Sequence, residues 1–132
     1  MRKKLTAVFL ACSCALLCIP AALASNRVPE LEITVALRSD GSAAVTQVWT
    51  AEAGGGTEFY LACKGSGYLT ITDLSVSDPD GAYAFVEDWD VNASFEEKAR
   101  KCGIVETDGG VELCWGIGEY GPRQYTISYV LH

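Results

Sequence analysis

The feature that most limits how this chain can fold is the period at which its apolar residues recur. Leu31, Ile33, Val35 and Leu37 alternate with Glu32, Thr34 and Ala36, and near the C-terminus Tyr125, Ile127, Tyr129 and Leu131 alternate with Gln124, Thr126 and Ser128. A period of two presents one face of a strand to a core and the other to water. Turn-forming residues close each run. Ser39-Asp40-Gly41 ends the first, Gly54-Gly55-Gly56 follows a strand over 43–51, Lys64-Gly65-Ser66-Gly67 follows an aromatic one over 57–62, and Asp108-Gly109-Gly110 joins 104–107 to 111–115 as a hairpin. About seven or eight short strands at near-regular spacing predict a mostly-β chain, an antiparallel β-sandwich of the immunoglobulin-like kind. Its first two strands form a hairpin, with Leu31, Ile33, Val35 and Leu37 on the buried face.

Local signals fill in the middle of the chain. Residues 69–77 are β-branched and apolar, with a break in period at Asp73 that predicts a bulge or the junction of two strands. Asp78-Pro79-Asp80-Gly81 reads as a type I turn, with an Asx acceptor, a proline fixing φ and a closing glycine, and 82–86 return as the partner strand. The one helical signal lies at residues 95–102: Ser94 caps, Glu97 completes a capping box and Gly103 stops the helix.

The N-terminus carries an export signature. Arg2, Lys3 and Lys4 precede an apolar stretch over 5–19, and Pro20 breaks it before Ala22-Leu23-Ala24, a small-x-small cleavage site. Residues 1–24 are thus expected to be a signal peptide and 25–132 a single extracytoplasmic domain. The competing reading is an uncleaved anchor, for which the stretch is short of the ~20 residues that span a bilayer. Cys12, Cys14 and Cys18 raise a lipoprotein, but Phe9-Leu10-Ala11 before Cys12 and Ala15-Leu16-Leu17 before Cys18 are poor lipid-attachment boxes. On this reading membrane contact comes only through an uncleaved leader or a segment beyond His132.

Removing 24 of 132 residues leaves 108, too few for a barrel or a doubly wound enzyme. It also removes three of the ten basic residues, leaving 17 acids against 7 bases and a net charge of −10. Such a surface repels phosphate backbones, so nucleic acid is excluded as a partner, and anionic lipid headgroups are repelled likewise.

The chemical inventory is sparse. His132 is the only imidazole, which leaves Ser and Cys nucleophiles without an obvious base. Carboxylate pairs for hydrolysis are too abundant to be informative. Three cysteines follow the leader: Cys102 and Cys114 are spaced to close a short disulfide loop, or all of Cys63, Cys102 and Cys114 are buried thiols. Their spacing lacks a zinc pattern. Asp78, Asp80, Glu87, Asp88 and Asp90 raise calcium as a ligand, although Trp89 stands where an EF-type loop needs Glu. Trp49 and Trp115 read as core. Trp89, with Tyr83 and Tyr120, is the candidate ligand platform, for which sugar stacking is the natural chemistry. Asn92-Ala93-Ser94 matches a glycosylation sequon, but Ser94 is better explained as a cap. No catalytic residue, cofactor-binding residue or metal ligand is assigned.

The order of several segments is more specific than any one of them. Residues 39–47 (SDGSAAVTQ), 71–76 (ITDLSV) with the Asp-Pro-Asp-Gly turn, 115–117 (WGI) and 125–129 (YTISY) together resemble the N-terminal extracytoplasmic module of bacterial predicted membrane proteins of the domain-of-unknown-function 2207 family. The resemblance covers about residues 31–131. It implies a secreted β-sandwich that, in typical members, precedes membrane-spanning segments and a cytoplasmic tail. Members often have Glu where Gln47 stands, and the family supplies no catalytic residues. The expectation is an exported, non-enzymatic envelope or protein-interaction module. A small carbohydrate-binding module is the alternative, and a carboxylate-dependent hydrolase comes third.

Overall fold

The computed structural model describes residues 25–65 and 69–132; the expected signal peptide, residues 1–24, lies outside them. The strands are β1 (Arg27–Leu37), β2 (Ala43–Ala53), β3 (Glu58–Lys64), β4 (Ile71–Asp78), β5 (Gly81–Ala82), β6 (Ala84–Phe85), β7 (Lys101–Thr107), β8 (Gly110–Gly116) and β9 (Gly121–Leu131), with one helical turn, α1 (Phe95–Lys98), before β7. They form two sheets, in the orders β1-β2-β9-β4-β5 and β3-β8-β7-β6. Every neighbouring pair is antiparallel except β6 and β7, which run parallel. The chain is a β-sandwich.

Alternation decides what fills the space between the sheets. Val45, Trp49 and Ala51 of β2, Tyr125, Ile127 and Tyr129 of β9 and Val76 of β4 face Phe59 of β3, Leu113 and Trp115 of β8 and Cys102 of β7. The centre is aromatic: Trp49 meets Trp115 edge-on at 4.9 Å, and Phe59 stacks on Trp115 at 6.0 Å and tilts against Tyr125 at 5.5 Å. Such pairs contribute about 0.5–1.5 kcal/mol each beyond the burial of their area.

The break in period at Asp73 is a β-bulge. The register of β4 on β9 shifts between Thr72 and Ser75, and Asp73 takes φ 57°. The extra residue lets both Ile71 and Val76 face the core.

Residues 82–86 do not return as one partner strand: only Gly81–Ala82 pair with β4, Tyr83 turns into the core, and Ala84–Phe85 cross to the second sheet beside β7. Two further expectations change. The helix ends at Lys98 rather than running to Cys102, although its capping box forms as read. Arg100 turns the chain at φ 58°, and Cys102 and Gly103 pair with Trp115 and Cys114 of β8 instead. A ladder against a central strand outcompetes a second helical turn that short-helix cooperativity barely supports. The second change concerns β1. Its alternation is real, yet the whole strand is exposed, because the four-stranded sheet is narrower and its β3 edge packs through Phe59 onto Trp49 of β2, leaving β1 uncovered beyond it.

Candidate functional site: a free sheet edge and its surroundings

The first sheet ends at β1, and among the described residues nothing pairs with its outer side. The hairpin sets which backbone groups face outward. Arg38 N–H donates to the Ser42 carbonyl (2.9 Å) and Gly41 N–H to the Arg38 carbonyl (3.1 Å), with Gly41 at φ 87°. Arg38 and Ser42 continue the register of the strand pair. Hydrogen-bonded positions alternate along an antiparallel pair, so the even residues of β1 bond β2 and the odd residues Leu31, Ile33, Val35 and Leu37 turn their N–H and C=O groups outward. Pro29, which has no N–H, stands at the next odd position.

The same four residues carry the exposed apolar stripe: Leu31 is 48% exposed, Ile33 53%, Val35 56% and Leu37 84%. The opposite face holds Glu30, Glu32, Thr34, Ala36 and Arg38. Both ends of the strand are fixed. Asn26 Oδ1 accepts from the N–H groups of Gly54 and Gly55, Arg27 pairs with Glu52 at 2.6 Å, and at the other end Asp40 accepts from Ser42 N–H and Oγ. The edge is therefore a preformed template, a long strand with open ladder groups and apolar side chains on one face.

The aromatic platform does not assemble. Tyr83 is buried in the core, edge-on to Tyr125, with its hydroxyl donating to Asp78. Trp89 lies over Gly103, where an added Cβ would stand 3.1 Å from the indole, and its Nε1 donates to Glu58 at 2.6 Å. Tyr120 is exposed, tilts against Phe95 and donates to the Gly56 carbonyl.

Trp89 belongs to an excursion, residues 86–100, that covers the outer face of the second sheet. Lys98 pins it: its Nζ is buried and donates to the Val91 carbonyl (2.6 Å) and Thr57 Oγ1 (3.1 Å), with Glu58 at 3.4 Å. The paired register also settles the cysteines. Cys102 lies opposite Trp115 and faces the core, whereas Cys114 lies opposite Gly103 and faces the excursion. Side chains on opposite faces of a sheet do not bridge, and both are free thiols, as is Cys63. Burial, with Glu58 and Glu112 adding to it, pushes the Cys114 thiol up to about 12.

Asp78 and Asp80, weighed above as calcium ligands, face guanidinium groups. Arg123 Nη1 lies 3.0 Å from Asp78 and 2.7 Å from Asp80, and Arg100 Nη1 lies 3.4 Å from Asp78. Burial alone would raise the Asp78 carboxyl. The hydrogen bonds from Tyr83 Oη and Asp80 N–H and the two arginines outweigh it and hold the group below the usual carboxylate range. Among the described residues no three of His, Cys, Asp and Glu converge as a metal site would require.

His132 Nε2 lies 2.9 Å from Thr72 Oγ1, which also reaches Asp73 at 3.1 Å. The carboxylate contacts the hydroxyl and not the second ring nitrogen, so this exposed trio lacks the order of a catalytic relay. Reading by residue type missed the β1 edge altogether, because alternation identifies a strand face without identifying what covers it. The one available signal was Pro29 at the head of the run, a residue tolerated where a strand has no neighbour. Comparison of the chain with family models, with curated proteins and with solved structures returns no match to any of them.

Proposed function

We propose that the chain beyond its leader is an exported, non-enzymatic interaction module of the cell envelope that takes a protein partner by adding a strand to the free edge of β1. The observation that carries this reading is the coincidence, at Leu31, Ile33, Val35 and Leu37, of outward backbone groups with an apolar stripe 48–84% exposed. In strand addition the main chain supplies affinity and alternate side chains supply selectivity, and both are present on one rigid strand. Folded proteins usually blunt such an edge with charge, proline or a bulge. Here Pro29 and the register shift between Arg27 and Glu30 blunt only its first residues, leaving four open positions.

Export is supported by the basic, apolar and small-x-small order of residues 1–24, and an envelope setting by the resemblance over residues 31–131. The net charge of −10 after the leader favours a protein partner over nucleic acid or an anionic lipid surface.

The test uses the full chain carrying a photo-crosslinking amino acid at Val35. Ile33→Lys is expected to leave the thermal midpoint within a few degrees, because Ile33 is already half exposed, and to abolish the in-cell adduct by placing a charge in the new ladder. An adduct of unchanged yield in a folded Ile33→Lys protein would falsify the reading.

A further inference from the structure

Resting on the edge reading, we infer that the strand added to β1 is β1 of a second copy of this chain, antiparallel about a two-fold axis through Thr34. Two identical strands meet with side chains directly opposite on the same face, and only registers that set odd residues against odd residues align the free N–H and C=O groups. With the axis at Thr34, Leu31 lies opposite Leu37 and Ile33 opposite Val35. All four stripe residues of each copy then meet an apolar partner, and the ladder holds about eight hydrogen bonds between copies. Pro29 falls just outside, where no donor is needed.

The polar face selects the same register. Glu30 lies opposite Arg38 at both ends of the interface and Glu32 opposite Ala36, so opposite charges meet twice and like charges never. Neither Glu30 nor Arg38 forms an ion pair within the chain among the described residues, so both are free to engage a partner. Neighbouring registers lose this fit. An axis at Val35 sets Leu31 against Ser39 and Glu30 against Asp40. One at Ile33 sets Leu37 against Pro29 and leaves Arg38 facing Val28. One at Glu32 sets that carboxylate against its own copy. Residues 25–132, of net charge −10, repel a second copy overall, which makes a local pair of complementary contacts the element that determines register.

Sedimentation velocity on the full chain recovered from the extracytoplasmic fraction tests the inference. The expected result is a monomer–dimer equilibrium in which Glu30→Arg or Arg38→Glu alone raises the dissociation constant about ten- to a hundred-fold. An equimolar mixture of the two variants, and the double variant in one chain, should each recover dimerisation, since in both cases opposite charges again face across the interface. Thr34→Cys should form a disulfide between copies on mild oxidation, the two-fold position being a non-hydrogen-bonded pair with Cα atoms about 4.5 Å apart, while the parent chain does not. A dimer indifferent to the charge exchanges overturns the Thr34 register. A chain that is monomeric at all concentrations, yet whose Val35 adduct is lost in Ile33→Lys, overturns self-pairing and leaves the edge to another protein. A monomer whose adduct survives Ile33→Lys removes both readings.

Discussion

Replacing Asp78 with alanine is expected to destabilise the domain by about 2–3 kcal/mol, lowering its thermal midpoint by roughly 10–20 °C at neutral pH. The Asp78 side chain is 1% exposed and holds four partners at the end of β4. Its Oδ1 accepts from Asp80 N–H (2.8 Å), and its Oδ2 accepts from Tyr83 Oη (2.9 Å) and Arg123 Nη1 (3.0 Å), with Arg100 beyond. Truncation removes the Asx acceptor of the exposed Asp80 N–H and strands the Tyr83 hydroxyl in the core, the costlier loss because a buried donor is left unpaired. Arg123 keeps Asp80 and Glu119, and Arg100 is partly solvated, so the cation side of the network costs less.

The pH dependence follows from the direction of the Asp78 shift. A carboxyl held below its unfolded value contributes stability that is present above the ordinary carboxylate range, near 4, and is lost as pH falls through the lower folded value. The gap in thermal midpoint between the parent and Asp78→Asn should therefore narrow from pH 5 to pH 2, as followed by circular dichroism. A gap that stays constant over that range would show that the charge of Asp78 contributes nothing.

The same network shows where sequence reading succeeds and where it stops. Asp-Pro-Asp-Gly is legible as a turn because its chemistry is local: the Asp80 N–H to Asp78 bond spans two residues. That Asp78 also anchors Arg100 and Arg123 depends on which strands lie side by side, and no local pattern encodes the placement of β9 beside β4 or the approach of Arg100 at the head of β7. The bulge at Asp73 is legible for the first reason, since one extra residue shows as a break in period. The stop of α1 is not, because residues 95–102 favour a helix taken alone and only the β8 ladder claims Cys102 and Gly103.

β1 and β9 make the sharpest contrast. Leu31, Ile33, Val35 and Leu37 alternate as cleanly as Tyr125, Ile127, Tyr129 and Leu131, yet the first set is at an uncovered edge and the second sits in the middle of a sheet. Periodicity reports that a face is apolar, whereas burial depends on the width of the opposing sheet, which is a property of the whole chain. An apolar stripe that the fold itself leaves uncovered is the kind of disagreement between sequence and structure that marks an interface. Tyr83 is the reverse case: an aromatic assigned to a ligand platform is taken by the core, which removes the geometric basis of the sugar-stacking reading.

Gly116→Ala is expected to lift the 86–100 excursion from the second sheet, at a cost of roughly 3 kcal/mol or more, and to make Cys114 reactive. A Cβ on Gly116 would run into the carbonyl of Lys98, and because the obstacle is backbone, no rotamer change relieves it. Ala99 bridges Gly116 at the same place, and the Lys98 ammonium loses its bond to Thr57 and its pairing with Glu58 if the segment withdraws. Cys114 is on the same face two residues earlier, 1% exposed although it lies outside the core cluster, so its cover is the excursion with Trp89 over the neighbouring Gly103. In the parent chain that burial and the raised thiol should keep Cys114 unmodified by iodoacetamide at pH 8 while half-buried Cys63 reacts. In Gly116→Ala, peptide mapping should find Cys114 carboxyamidomethylated, with Cys102, on the core face, still protected and showing that the sandwich is intact. A folded Gly116→Ala protein with Cys114 still protected would mean that the excursion is not its cover, whereas modification of Cys102 as well would mean that the two sheets had come apart.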